Sequence, residues 1–246
     1  SFQTRPFNMA KVEILHGEGE PVDIQGFAGT GKSFLLYQLI DLILSNDELG
    51  SAVVLGFTGN QIKALAQRLP AGVKTMTYNQ FTEMLIPDDL KKTKQGKHLK
   101  ISYDSGYPSE QATLKKFSLN VPETYTDVSA VRDSFRTLRS FCYGLNPDIT
   151  LDNLPEWVQK KPEIDKYAIL ENAHKLWNAI IKPDSKEQSL PIRGFHLHKL
   201  ASLNDWKIPE GIKYIFIDES HDLSKPITHI LEKDFRVSVT TLGDKF

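Results

Sequence analysis

The sequence lacks the features that mark several broad classes of protein. Among 246 residues there is one cysteine, Cys142, which excludes an intrachain disulfide and favours a reducing compartment. The longest apolar tract, from Phe34 to Leu44, is interrupted by Gln38 and Asp41, so no membrane-spanning helix is expected. No internal repeat is present, and no signal-peptide pattern is read at the N-terminus. These absences argue against membrane, repeat and disulfide-scaffold proteins and predict a cytoplasmic location.

The chain also lacks a dominant charge and an evident metal-binding pattern. It has 30 basic and 31 acidic residues, so its net charge of -1 neither favours nor excludes a nucleic-acid partner. None of its 7 histidines is spaced with a cysteine pair as a zinc site requires. With 40% hydrophobic and 25% charged residues, the composition is that of a globular protein with one large domain or two smaller ones.

Short apolar segments alternate with helical patterns at both ends of the chain. Strands are predicted at residues 21–25, 51–57, 73–75, 212–217 and 237–242, and helices at 31–45, 60–69, 78–85 and 224–234. Between them lies a polar, lysine-rich stretch at 86–125, followed by helical patterns at 127–143, 163–181 and 193–203. We therefore expect an α/β domain with a parallel sheet, formed by residues 1–85 and 196–246, and a mostly helical insertion at 86–195.

A glycine-rich segment follows the first predicted strand and opens the first predicted helix. Residues Gly26–Ser33 read Gly-Phe-Ala-Gly-Thr-Gly-Lys-Ser and fit the pattern G-x-x-x-x-G-K-[ST] in the context that this motif requires. Backbone N–H groups of such a loop surround phosphate oxygens, and the helix N-terminus adds partial positive charge. Lys32 is expected to reach the β- and γ-phosphates, and the Ser33 hydroxyl to bind Mg²⁺. The predicted phosphate-binding residues are Gly26, Ala28, Gly29, Thr30, Gly31, Lys32 and Ser33.

Two carboxylates follow the strongest predicted strand. Ile215-Phe216-Ile217 runs directly into Asp218 and Glu219. Ligands of parallel sheets bind at the carboxyl ends of strands, so Asp218 is expected to hold the same Mg²⁺ and Glu219 to accept a proton from the attacking water. The alternative is that either acid only caps the helix that follows. A phosphate-loop kinase does not need the second acid, so the pair favours water as the nucleophile.

In these segments the chain resembles the N-terminal motor domain of UvrD-like superfamily 1 DNA helicases, a family that includes an F-box DNA helicase branch. The phosphate loop looks like motif I and Asp218–Leu223 looks like motif II, with His221 where Gln is usual. Three further segments are similar to family motifs: Gly56–Gln61 to motif Ia, Thr75–Phe81 to motif Ib with Thr77 where many members have His, and Leu242–Asp244 to the start of motif III.

The resemblance implies a RecA-like P-loop NTPase domain that binds ATP and Mg²⁺, with an insertion at the position of the family's subdomain 1B. It also implies that motifs IV to VI, with an arginine that completes the ATP site, lie on a second RecA-like domain. We expect that domain to be absent here, so that the sequence is a fragment that hydrolyses ATP weakly. Gln3, or less well Asn8, is the candidate for the family's adenine-reading glutamine.

The resemblance further implies a single-stranded or partly duplex DNA partner. Thr58, Gly59 and Asn60 are expected to contact phosphates, and Tyr78 and Phe81 are candidate base-stacking residues, with core packing as the alternative for both rings. The stretch Lys91–Lys100 has five lysines in ten residues, of which Lys91, Lys92 and Lys94 are candidate DNA contacts. A solvated loop is the alternative for that stretch.

Three functions remain open from the sequence. The leading one is an ATP-dependent DNA helicase or translocase, which is expected to be associated with the nucleoid if the source is bacterial. The second is a phosphate-loop kinase that acts on a small molecule and ignores DNA. The third is a nucleotide-binding interaction module that does not hydrolyse ATP.

Overall fold

The computed structural model describes residues 22–26, 32–44, 51–91, 105–185, 187–218 and 223–244. Their contacts divide the chain into two compact units. The first unit contains the described residues up to Leu85 and those from Asp205 onward, and the second is Ile86–Asn204. The sequence division at residues 195 and 196 falls inside a helix, Gly194–Leu203, that belongs wholly to the second unit.

A five-stranded sheet forms the centre of the first unit. Its strands are β1 (Val22–Gly26), β2 (Ala52–Gly56), β3 (Lys74–Thr77), β4 (Tyr214–Asp218) and β5 (Ser238–Asp244). They lie in the order β1-β5-β4-β2-β3, and every neighbouring pair is parallel. The α/β class and the parallel sheet predicted from the sequence are confirmed.

Four helices accompany these strands in the described part of the first unit. They are α1 (Lys32–Leu44), α2 (Gly59–Ala66), α3 (Tyr78–Met84) and, near the end of the chain, the helix Lys225–Lys233. All five residues of β2 are buried, as expected for a parallel strand covered on both faces. A core cluster joins α1, β2, α2 and β4 through Leu36, Leu39, Ile40, Ala52, Val54, Ile62, Leu65 and Phe216. Burial of each large aliphatic or aromatic side chain contributes roughly 1.5–3 kcal/mol, so this cluster fixes the two helices against the sheet.

The regular structure described in the second unit is helical. In chain order its helices are α4 (Asp88–Lys91), α5 (Glu110–Lys116), α6 (Asp127–Tyr143), a 3₁₀ turn (Leu151–Asn153), α7 (Glu156–Gln159), α8 (Glu163–Ile181) and α9 (Gly194–Leu203), so the helix Lys225–Lys233 of the first unit is α10. A buried cluster of Ala130, Leu154, Val158 and Ile169 connects α6, α7 and α8. Thr126 caps α6 by accepting a hydrogen bond from the backbone N–H of Ser129, which explains why the helix begins where it does.

No helix within the described ranges has both the length and the apolar character that crossing a bilayer demands.

Candidate functional site

The carboxyl edge of the sheet gathers the ends of three strands whose residues were singled out in the sequence. Asp218 ends β4 and is partly buried. The register pairs Leu55 with Ile217, so the next residues, Gly56 and Asp218, reach the edge side by side. Gly56 is in turn the register partner of Thr77. Thr77, Gly56 and Asp218 therefore lie in a row at one end of three adjacent strands.

The strand that precedes the glycine-rich segment ends at the same edge. Gly26 closes β1 and pairs with Asp244 of β5, while Asp218 pairs with Leu242 of the same strand. One strand thus separates β1 from β4, which corresponds to about 10 Å between them. The helix α1 begins at Lys32, so a strand and a helix flank the glycine-rich segment as the motif requires.

Several predicted site residues lie outside the described part of the chain. These are Gln3, Ala28, Gly29, Thr30, Gly31, Lys92, Lys94, Glu219 and His221. Lys32, Ser33 and Lys91 are described by their backbone alone, at the first two positions of α1 and the last position of α4. Their predicted roles remain predictions.

A threonine caps each of the helices α2 and α3, which follow β2 and β3 at this edge. Thr58 precedes α2, and its hydroxyl oxygen accepts a hydrogen bond from the Gln61 backbone N–H at 3.2 Å. Thr77 precedes α3, and its hydroxyl oxygen accepts from the Gln80 N–H at 3.2 Å while the Gln80 side chain accepts from the Thr77 N–H at 2.9 Å. Each cap uses one lone pair of the threonine hydroxyl oxygen and leaves the hydroxyl hydrogen able to donate.

The segment predicted to contact DNA phosphates is accessible. Thr58, Gly59 and Asn60 are exposed at the N-terminus of α2, directly after β2. A Cβ atom added at Gly59 meets no heavy atom within 4 Å, so the surface there is open. Backbone N–H groups at such a helix start suit an anion such as a phosphate group.

The two aromatic residues considered for base stacking are core residues. Phe81 is fully buried, and Tyr78 is 4% exposed. The Tyr78 ring packs against Phe57 with centroids 4.8 Å apart. Both residues are buried on α3, so neither ring offers a face to a base. The two rings therefore pack in the core rather than stack on DNA bases.

The Tyr78 hydroxyl is a feature of the site that the sequence did not reveal. Its oxygen is buried and has no hydrogen-bond partner among the described residues. Burial raises the pKa of Tyr78 above its ordinary value, and the negative charge of Asp218 raises that pKa further. The sequence did show that Tyr78 directly follows β3. It did not show that only β2 separates β3 from β4, which the strand order reveals.

A pocket described in the second unit contains none of the predicted site residues. Its volume is about 550 Å³, and Lys116, Lys175 and Lys182 are among the residues that line it. The ammonium groups of Lys116 and Lys175 donate hydrogen bonds to the carbonyl oxygens of Ser189 and Ser118, respectively, so two of the three cations serve the local fold.

Comparison of the chain with models of known protein families gave no match, and a search of curated proteins gave none either.

Proposed function

We propose that this chain carries the magnesium–ATP site of an ATP-dependent DNA helicase or translocase of the UvrD-like superfamily 1 type. The observation that supports this most is that β1, which leads into Gly26–Ser33, and β4, which ends at Asp218, finish at one edge of a single parallel sheet. A phosphate-binding loop and a magnesium-binding carboxylate must meet at such an edge if they are to serve one nucleotide.

The residues at the edge fit a magnesium nucleotide. The partly buried carboxylate of Asp218 is a hard oxygen ligand of the kind that Mg²⁺ takes, often through water. The buried hydroxyl of Tyr78, which lacks a partner among the described residues, adds an unused polar group on the helix that follows Thr77 at the same edge. Bound Mg²⁺ would neutralise charge on the phosphate oxygens during transfer of the γ-phosphoryl group.

Four side chains divide the work on the nucleotide. Lys32 holds the β- and γ-phosphate oxygens, and Ser33 and Asp218 hold the metal. Glu219 accepts a proton from the water that attacks the γ-phosphorus, so the bond to the β,γ-bridging oxygen breaks and ADP leaves. In the family a second motor domain supplies an arginine that completes this site.

Single-stranded DNA is the proposed polymer partner, with Thr58, Gly59 and Asn60 as its phosphate contacts. These residues are exposed at the start of α2, which follows β2, and β2 is the neighbour of the strand that ends at Asp218. Because α2 starts at the edge of the sheet where the nucleotide is proposed to bind, nucleotide binding is expected to change the affinity for DNA. The lysines at positions 91, 92 and 94 are proposed as further phosphate contacts.

The decisive experiment measures binding of a fluorescent ATP analogue with and without Mg²⁺. The wild-type chain should bind the analogue, and Lys32→Ala should abolish binding. Lys63→Ala is the matched control, because Lys63 is an exposed lysine of the same unit on α2. Equal binding by wild type and Lys32→Ala would reject the phosphate site.

A second measurement separates the helicase proposal from a kinase. Binding of single-stranded DNA is measured over a range of salt concentrations for wild type and for a variant with Lys91, Lys92 and Lys94 changed to Glu. The proposal expects DNA binding whose dependence on salt becomes less steep in the variant. ATP binding without any affinity for DNA would favour a kinase acting on a small molecule, and an unchanged salt slope would remove the lysines from the interface.

A further inference from the structure

The Tyr78 hydroxyl is an unexplained polar group at the edge of the sheet. The side chain is 4% exposed, and its oxygen has no hydrogen-bond partner within the described ranges. Leaving a buried O–H unbonded is unfavourable, because the group gives up its bonds to water and gains none in return. A buried hydroxyl of this kind needs either a structural reason or a ligand.

Local structure explains the position of Tyr78 but not its hydroxyl. The Thr77 capping box fixes Tyr78 as the first residue of α3, and the Thr82 hydroxyl donates to the Tyr78 carbonyl oxygen at 2.9 Å. The ring contacts Phe57 at a centroid distance of 4.8 Å. A phenylalanine would satisfy every one of these contacts, so packing and capping do not account for the oxygen atom.

The sheet places Asp218 level with Thr77, the residue that precedes Tyr78. Thr77 pairs with Gly56, and Gly56 stands beside Asp218 because their preceding residues, Leu55 and Ile217, are register partners. The strand between Thr77 and Asp218 is β2, and it ends in Gly56, which has no side chain. Tyr78 also senses the Asp218 charge, which contributes to the raised pKa of its phenol. An aspartate carboxylate has about four lone-pair positions and can accept a further hydrogen bond while it also serves a metal ion.

We propose that Tyr78 is a positioning residue of the magnesium site, whose buried O–H donates a hydrogen bond to the Asp218 carboxylate when the magnesium nucleotide is bound. This inference rests on the proposed function, because it assigns the task of Asp218 to metal binding. Groups that hold a metal-binding carboxylate in place commonly contribute about 10- to 100-fold to metal affinity.

The test is Tyr78→Phe, which keeps the ring and removes only the hydroxyl. Without nucleotide, the variant should melt at the wild-type temperature or about 2–4 °C above it, because an unbonded buried group is lost. With a fluorescent ATP analogue, the Mg²⁺ concentration needed for half-maximal binding should rise about tenfold, while binding in EDTA should stay unchanged. The rise in melting temperature that Mg²⁺ and ATP together produce should be smaller in Tyr78→Phe than in wild type.

Tyr125→Phe is the matched control. It removes the buried hydroxyl of a tyrosine in the second unit, and it should leave the Mg²⁺ dependence unchanged. If wild type binds magnesium nucleotide and Tyr78→Phe has the same Mg²⁺ dependence, the role of Tyr78 is overturned and the proposed function stands. If Tyr78→Phe melts several degrees lower without nucleotide, the hydroxyl already has a structural bond and the inference is also overturned. If wild type shows no Mg²⁺-dependent binding, both proposals fail together.

Discussion

Gly26 and Asp218 end parallel strands on either side of β5, and their register partners on β5, Asp244 and Leu242, lie two residues apart. At about 3.3 Å per residue, Gly26 therefore extends about 7 Å farther along the strand direction than Asp218. Gly26 and Asp218 therefore end at one edge of the sheet, although most of the chain separates them in sequence. This relationship makes a shared nucleotide site testable residue by residue.

Asp218→Asn should separate metal binding from nucleotide binding. The substitution keeps the size of the side chain but removes the negative charge that is proposed to attract Mg²⁺. Binding of a fluorescent ATP analogue should weaken about tenfold in Mg²⁺ and stay unchanged in EDTA. Glu210→Gln, which neutralises a side chain 93% exposed in the same unit, is the control and should bind as wild type does. An equal loss in Mg²⁺ and in EDTA would show that Asp218 supports the fold rather than the metal.

Gly56→Ala should destabilise the first unit, because two side chains lie close to the position that an added Cβ atom would occupy. An added Cβ would lie 3.0 Å from Ile62 Cδ1 and 3.2 Å from Gln61 Oε1, a side-chain oxygen that accepts the Phe57 backbone N–H at 3.1 Å. Crowding of this kind typically costs about 1–3 kcal/mol in the free energy of unfolding.

Gly59→Ala supplies the contrast for that measurement. A Cβ at Gly59 meets nothing within 4 Å, and the residue is the first of α2, so the alanine should be neutral or stabilise by up to about 1 kcal/mol. Urea unfolding followed by circular dichroism compares the two variants with wild type. Equal free energies of unfolding for both alanine variants would contradict the steric interpretation of Gly56.

The strands were predictable because burial leaves a strong pattern. The apolar run before Asp218 places β4 correctly: its three central residues, Ile215, Phe216 and Ile217, are all buried. The helix Glu110–Lys116 was missed because it lies in a polar, lysine-rich stretch whose apolar periodicity is weak. Its start had a usable signal in Ser109, which accepts a hydrogen bond from the Ala112 N–H and caps the helix.

The neighbours of a site residue were less predictable than the residue itself. Asp218 was identified from its position at the end of a strand, a local pattern. That Tyr78 lies near it depends on β2 pairing with both β3 and β4, and parallel strands of similar composition do not specify their order locally. Tyr78 and Phe81 were candidate DNA contacts because Thr75–Phe81 is similar to a family motif, whereas both rings pack into the core of the unit.

Lys199→Met should destabilise the second unit. Lys199 is 1% exposed, and its ammonium donates hydrogen bonds to the carbonyl oxygens of Gly144 at 2.8 Å and Asn146 at 2.6 Å, just past the end of α6. Methionine fills similar space but leaves both carbonyl groups without their charged donor, at a cost of about 2–4 kcal/mol. Lys175→Met is the control, because the Lys175 side chain is 33% exposed and the loss of its charge should cost less than about 1 kcal/mol.

Cys142 gives a direct readout of that loss. Its side chain is 1% exposed, and burial raises the pKa of the thiol, so the folded chain should react slowly with a thiol reagent. The modification rate follows the population of opened molecules, and a loss of 2–4 kcal/mol should accelerate it by about 30-fold or more. A modification rate in Lys199→Met no faster than in Lys175→Met would show that the two hydrogen bonds contribute little.

His196 should make folding sensitive to acid. Burial, followed by the nearby charge of Arg193, lowers the pKa of His196 to about 3, and its Nδ1 accepts the Arg193 backbone N–H at 3.0 Å. In the unfolded chain a histidine has a pKa near 6.5. Between pH 6.5 and about 3 the unfolded chain therefore binds a proton that the folded chain does not. The stability contributed by neutral His196 is complete above pH 6.5 and is lost as the pH falls through that window.

Substitution of His196 by Asn tests this acid sensitivity, because its side-chain oxygen can still accept a hydrogen bond while the group no longer titrates. Between pH 7.5 and pH 5, wild type should lose about 2 kcal/mol more of its free energy of unfolding than His196→Asn does. Urea unfolding at four pH values in that range measures the difference. His174→Asn, which makes the same substitution at an exposed position of α8, controls for the histidine-to-asparagine change at pH 7.5. If His196→Asn and wild type lose stability in parallel, other groups cause the acid sensitivity, and the buried imidazole has no part in it.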